Sequence, residues 1–303
     1  MLKIGLLWQF AKVFNKIHEE EIVRIDMRWI IEAGTTKTDS IIISKSGIED
    51  RKLSPGLNPV SDKDFSQKII DLCTETDLSQ IQEVYYYGSG CINDTYNQPI
   101  VDVIQSYLGK HADVLVEDDL LAAAKSTFGN NSGIATIIGT GSNIGYYDGR
   151  SICDRVQSCG YLLGDEGGGY RIGQSVFLRY CRGFLSQEEM TLIESETPIS
   201  ASTAITKLYK SENQRQYLAS FSKYITQLSS KTQEEILSSV FDELFQNMIL
   251  PMWNKHQVPI SLVGSISFHF KDRLMYMFDN FNIIAGSILK SPIEGLIKYH
   301  SYE

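Results

Sequence analysis

The sequence predicts a mixed α/β protein built from two domains that open with the same hairpin. Three observations predict it. Strand-length apolar runs alternate with stretches of helical periodicity. A strand–turn–strand unit, Trp29-Ile30-Ile31-Glu32-Ala33-Gly34-Thr35-Thr36-Lys37-Thr38-Asp39 running into Ile41-Ile42-Ile43, returns as Ile134–Ile138, Gly139-Thr140-Gly141-Ser142 and Asn143–Tyr147. Between them lies the break Gly129-Asn130-Asn131-Ser132-Gly133.

At 303 residues the chain is long enough for two cores. Hydrophobic content of 43% and charged content of 21% are those of an ordinary globular protein. A net charge of −9 and the lack of a Lys/Arg cluster argue against nucleic acid as a partner. No apolar run approaches the ~20 residues that span a bilayer, so no membrane partner is expected. The five cysteines are odd in number and widely spaced, with no CxxC pair, which reads as reduced thiols in a cytoplasmic protein. Residues 1–26 hold a short apolar run, Ile4–Trp8, without a small-residue cleavage site, then Glu19-Glu20-Glu21. They are expected to form an extension outside the fold, with Met27 as the functional start.

The elements follow in order. Met27–Glu32 and Ser40–Ser44 read as paired strands, and Pro55–Pro59 as a loop. Ser61–Thr74 has helical periodicity with Ser61 as its cap. Glu83–Tyr87 is a strand ending in Gly88-Ser89-Gly90; Pro99–Leu108 a helix; Ala112–Val116 a strand; Asp119–Thr127 a helix. After the second hairpin, the loop Gly164-Asp165-Glu166-Gly167-Gly168-Gly169 leads into the helix Tyr170–Gly183. Helices dominate from Gln187 to His256, the longest, Glu234–Asn254, interrupted near Pro251. Pro259–Val263 is a strand ending in Gly264-Ser265; Phe268–Phe278 a helix; Asn282–Ala285 a strand; Pro292–His300 a closing helix.

The first turn carries chemistry by composition. Glycine and hydroxyl residues let backbone N–H groups and side-chain oxygens approach a phosphate chain. Glu32 at its entrance suits a hydrated Mg²⁺, and Lys37 offsets phosphate charge. The GxxxxGK[ST] spacing of a P-loop is absent. Asp118 and Asp119 stand at a helix start, and consecutive helical side chains point about 100° apart, so only one of the two can serve a given site, and either is a candidate carboxylate.

These motifs, together with Val263-Gly264-Ser265 and the tail Ser291-Pro292-Ile293-Glu294-Gly295-Leu296, occur in one order. That order resembles the N-acetylglucosamine kinase family, grouped with the BadF/BadG/BcrA/BcrD ATPases in the actin/hexokinase/Hsp70 superfamily. The resemblance covers nearly all of the chain from Met27 to His300. It implies two actin-like (ribonuclease H-like) ATPase domains, 27–133 and 134–289, flanking an ATP cleft, with residues 290–303 packing back on the first. Gly34, Thr35, Thr36 and Lys37 would form one phosphate loop, and Gly139, Thr140, Gly141 and Ser142 the other. Gly264 and Ser265 would lie against the adenosine, and Asp119 would be the catalytic base. Asn58, Gly90, Asp165 and Glu166 would lie near the sugar, and Glu32 near Mg²⁺. Two departures stand out: Glu32 and Thr35 in the first loop occupy places where many relatives carry Asp and Gly or Ser, and residues 1–26 have no counterpart in the family pattern.

The implied activity is ATP-dependent phosphorylation of an amino sugar, N-acetylglucosamine or glucosamine. Alternatives on the same fold are an ATPase that activates a redox partner and a non-catalytic sugar-binding regulator. The cysteines lack the spacing that an inter-subunit iron–sulfur cluster needs, and residues 1–26 are too short for the helix-turn-helix of a repressor, in a chain that is acidic. Family members are often dimers, so a homodimer is among the implied states.

Overall fold

A computed structural model describes residues 27–109, 112–197 and 199–301; the expected extension, residues 1–26, lies outside them. Isoleucine-rich runs form the centre of two five-stranded sheets. The first contains β1 (Met27–Ala33), β2 (Lys37–Ser44), β3 (Gly47–Pro55), β4 (Ile81–Gly88) and β5 (Asp113–Asp118), in the order β3-β2-β1-β4-β5. The second contains β6 (Gly133–Ile138), β7 (Ser142–Tyr147), β8 (Ile152–Arg155), β9 (Ile260–Val263) and β10 (Ala285–Leu289), in the order β10-β9-β6-β7-β8. Each sheet opens with an antiparallel meander and adds two parallel strands on the other side of its first strand. The fold is thus one topology used twice. Trp29, Ile30 and Ile31 are all fully buried because helices cover both faces of the first sheet. Its edge strand β3 carries Glu49, Asp50, Arg51 and Lys52, which keeps that edge wet.

On one face, α1 (Phe65–Thr74) and α2 (Asp94–Leu108) bury Ile69, Leu72, Ile100 and Ile104 against Trp29, Ile31 and Tyr86. On the other face lie α3 (Asp119–Phe128) and the closing helix, here α13 (Ile293–His300), which buries Ile293 and Leu296 against Ile30, Ile41 and Tyr87. α3 is shared. Its Ala122 packs on the first sheet, while Leu120, Leu121, Ala123 and Ala124 join Ala135, Tyr147 and Val263 of the second. A Cβ at Gly295 would stand 2.3 Å from the Ser126 carbonyl, so glycine is what lets α13 cross α3 closely.

Between β8 and β9 run α4 (Gly160–Leu163), α5 (Gly169–Cys181), α6 (Gln187–Glu196), α7 (Ala201–Lys210), α8 (Gln214–Ala219), a 3₁₀ segment Ser220–Gln227, α9 (Ser230–Leu244), a π segment Phe245–Ile249 and α10 (Leu250–His256). They enclose the largest core, where Phe221, Phe241, Phe245 and Tyr180 are fully buried. α11 (Ser265–His269) and α12 (Lys271–Asn280) complete the second lobe.

Several boundaries differ from the sequence expectation. Ser61 caps no helix: the Asn58 side chain takes Val60 N and Ser61 N into a local turn, which competes with helix, and α1 begins at Phe65. α2 begins at Asp94, capped by Asn93, and accommodates Pro99. The break expected near Pro251 is a π segment that shifts the hydrogen-bond ladder just ahead of the proline, so the helix continues. Phe268–Phe278 is two helices meeting at Phe270. The last strand begins at Ala285, because Asn282 turns the chain with φ 53°. β3, β8 and α4 were not expected.

Candidate active site

The site lies where the two hairpins face each other. The β1–β2 turn is closed by Gly34 N donating to Lys37 O (2.9 Å) and is backed by the Pro55–Asn58 loop, where Gly56 N donates to Thr36 O and Leu57 N to Gly34 O. A Cβ on Gly56 would sit 2.2 Å from the Thr35 carbonyl, so only glycine allows this backing. The β6–β7 turn, bracketed by the pair Ile138 and Ser142, is stitched to the head of α5 by Gly169 N to Gly139 O and Tyr170 N to Thr140 O, both 2.8 Å. Gly139 faces open space. The two tips meet: the hydroxyls of Thr36 and Thr140 lie 3.1 Å apart. Of the eight expected phosphate-loop residues, Gly34, Thr35, Thr36, Gly139, Thr140 and Gly141 form the two facing turns, and Lys37 and Ser142 open the strands that follow them. Thr36 and Lys37 are exposed there, and Ser142 is buried with its hydroxyl on Met248 Sδ.

Gly264 ends β9 at φ 133°, and a Cβ there would meet the Ile138 carbonyl at 2.3 Å. That close approach sets the head of α11, with Ser265 exposed as its first residue, beside the start of the second turn.

The carboxylates separate by role. Asp118 caps α3, its Oδ1 accepting from Leu121 N (2.8 Å), and its Oδ2 accepts from Arg155 Nη2 (2.8 Å). Asp119, the next residue, is half-buried and hydrogen-bonded by Ser89. Burial and the charge of Asp118 push its carboxyl up to about 6, although Ser89, the Leu120 N–H and Arg155 oppose the shift. Burial pushes Glu32, at the end of β1, up to about 7; Lys37 opposes this, and the charges of Asp119 and Asp39 add to it. Two crowded carboxylates beside two facing glycine–threonine turns form a place that a cation would relieve. Among the described residues no cluster of three or more His, Cys, Asp or Glu side chains forms a ready-made metal cage.

Ser89 connects these groups. Its N–H donates to Ala33 O (2.9 Å), and its hydroxyl accepts from Thr35 Oγ1 (3.3 Å) and from Asn58 Nδ2 (3.4 Å). Asn58 is buried, and Gly90, at φ 90°, packs against its side chain. Across the cleft, Asp165 is buried with φ 60°. Its Oδ2 accepts from Arg215 Nη2 (2.8 Å) and its Oδ1 from Ser142 N (3.3 Å). Glu166 is half-buried and, with Ser142, Cys159, Gly164 and Asp165, lines a small cleft. Asn58 and Gly90 thus stand on one wall, and Asp165 and Glu166 on the other. The sequence pointed to the loop around Ser89 but not to the hydroxyl itself; a serine between two glycines at a strand end was the available signal. Arg155 and Arg215 had no local signal, being 37 and 50 residues from their partners.

Two lobes of repeated topology with facing glycine–threonine turns define an actin-like ATPase fold. MreB5 of Spiroplasma citri bound to AMPPNP shares it, with a TM-score of 0.57 over 91% of this chain and 96% of that one at 12% identity. No family model matches the chain. It is 27% identical over 210 residues to the N-acetylmuramic acid/N-acetylglucosamine kinase of Clostridium acetobutylicum; the match spans 64% of this chain and 66% of that protein, just under two thirds of its length. The structure of a protein proposed to be an N-acetylglucosamine kinase from Porphyromonas gingivalis superposes with a TM-score of 0.80, covering 90% of this chain and 98% of that one at 28% identity. On this fold, the chain is similar to these two kinase-named proteins along most of its described length.

Proposed function

We propose that the chain is an ATP-dependent kinase that transfers the γ-phosphoryl group to a hydroxyl of an amino sugar, N-acetylglucosamine or glucosamine. The carrying observation is Asp119: a half-buried carboxylate at the head of a helix beside two facing phosphate-type turns, while its neighbour Asp118 is committed to the cap and to Arg155. Phosphoryl transfer asks little covalent chemistry of a protein; it needs phosphate donors, charge neutralisation and a carboxylate to take the acceptor's proton. The Gly34–Lys37 and Gly139–Ser142 turns border the phosphates, with the Thr36 and Thr140 hydroxyls and Lys37 as donors, while Gly34 N, Gly139 N and Ser142 shape the turns through bonds of their own; Gly264 and Ser265 border the adenosine. Bound Mg²⁺ supplies neutralisation of phosphate charge, and Glu32 would hold it through water. Asp119 accepts the acceptor proton, and Ser89 orients it. Asn58, Gly90 and Glu166 border the sugar. The arrangement of Asp165 supports a role in fixing the second turn, through Ser142 N and Arg215, beside any contact with the sugar. We assign 27–133 with the closing helix to one lobe and 134–289 to the other.

A coupled assay of ADP release with ATP, Mg²⁺ and a panel of hexosamines tests this. Stimulation by at least one hexosamine is expected. Release that no sugar stimulates contradicts it.

A further inference from the structure

Asp119 is followed by Leu120, which is fully buried, and preceded by Asp118. Both neighbours are held by the same place in the second sheet. Gly145 of β7 and Arg155 of β8 are cross-strand partners. Arg155 donates to Asp118 Oδ2 at 2.8 Å. Leu120 sits over Gly145, where an added Cβ would stand 2.9 Å from its Cδ2. β8 alternates: Asp154 turns to His256 and Lys255, and Arg155 to the head of α3. Asp118 belongs to β5 of the first sheet. One register pair of the second sheet therefore clamps the residues on either side of a carboxylate that follows directly from the first sheet.

We propose that Arg155 is a positioning residue for the base: by holding Asp118 while Leu120 is seated over Gly145, it fixes the first turn of α3 and with it the aim of Asp119. The role rests on the kinase reading for its catalytic consequence, but the clamp itself does not. Arg155 touches no reacting atom. A lysine in its place keeps the positive charge toward the same carboxylate on a shorter, unforked head, so it should restore part of the effect. Asparagine at 118 keeps the cap, since Asn and Asp are equivalent N-caps; it removes the ion pair and, with it, the Asp118 charge that raises Asp119.

The test uses the full chain and the variants Arg155→Met, Arg155→Lys, Asp118→Asn and the Arg155→Met/Asp118→Asn pair. Hydrogen exchange of the first turn of α3 is read by mass spectrometry, and kcat and KM by ADP release. The expected result is roughly tenfold faster exchange in Arg155→Met and Asp118→Asn, with the pair no faster than either alone, as for two groups in one interaction. Arg155→Lys is expected to be intermediate. In sugar-stimulated turnover, kcat falls about tenfold in Arg155→Met while KM for ATP and sugar moves less than about threefold, as for loss of an interaction that serves the transition state. Unchanged exchange in Arg155→Met, or single-variant effects that multiply in the pair, overturns the clamp. Faster exchange with unchanged kcat overturns the positioning role. Absence of any sugar-stimulated turnover in the unmodified chain overturns the kinase reading, and the exchange data still decide the clamp.

Discussion

The side-chain oxygens of Thr36 and Thr140 lie 3.1 Å apart, though 104 residues separate them and their turns join strands of different sheets. Equivalent turns of a duplicated fold thus touch tip to tip, which places their backbone donors around one space. Cysteines replacing both threonines should cross-link on mild oxidation, because the oxygens already approach within hydrogen-bond distance. ATP should slow the cross-link by occupying that space. Gel mobility under non-reducing conditions measures both; cross-linking indifferent to ATP contradicts a shared phosphate site.

Asp119 should govern the acid limb of turnover. In the proposed role of base it works ionised, and its carboxyl is pushed up to about 6 by burial and by Asp118. The rate should therefore be full above pH 7 and fall about tenfold per unit well below pH 6, following the ionised fraction. Arg155 opposes the upward shift, so Arg155→Met should move the limb to higher pH. Asp119→Asn should lower kcat roughly a hundred- to ten-thousand-fold with sugar binding kept. A calorimetric titration beside the pH–rate profile separates the two effects.

Gly264 should tolerate no side chain. Its φ of 133° is foreign to L residues, and a Cβ would stand 2.3 Å from a backbone carbonyl. Gly264→Ala should cost on the order of 2 kcal/mol, lowering Tm by roughly 5 °C, and should raise KM for ATP. Differential scanning fluorimetry and steady-state kinetics check it.

His300 should make the fold acid-sensitive. It lies in α13 between Tyr85, stacked at 3.8 Å, and Tyr87, whose hydroxyl is 2.9 Å from Nε2. Burial, then Lys125 and Arg28, holds it down to about 3, against 6.5 in the unfolded chain. Between those values the unfolded chain binds the extra proton, so stability is full above pH 6.5 and declines as pH falls, by up to about 1.4 kcal/mol per unit from this group. Urea melts at pH 7, 6 and 5 should show a slope that His300→Gln flattens; an equal slope in the variant would rule this group out.

The legible parts of this protein were the local ones. Gly34–Lys37 and Gly139–Ser142 announce themselves because a turn's composition is contiguous, and Asp118-Asp119 because a helix head needs an acid or a cap. The duplication was visible because both lobes open with the same hairpin. What stayed hidden depends on partners distant in sequence. Arg155 finds Asp118, and Arg215 finds Asp165, only through pairing of strands and packing of helices. The short edge strand β8 lacks the apolar run that marks a central strand. The start of α1 was misplaced because Asn58 draws the following backbone into its own turn.

The most direct test of the central claim is ³¹P NMR of the full chain with ATP, Mg²⁺ and N-acetylglucosamine or glucosamine. The account predicts a sugar phosphomonoester resonance growing in step with ADP, and its loss in Asp119→Asn. ADP accompanied only by inorganic phosphate, with no phosphorylated sugar, would contradict it.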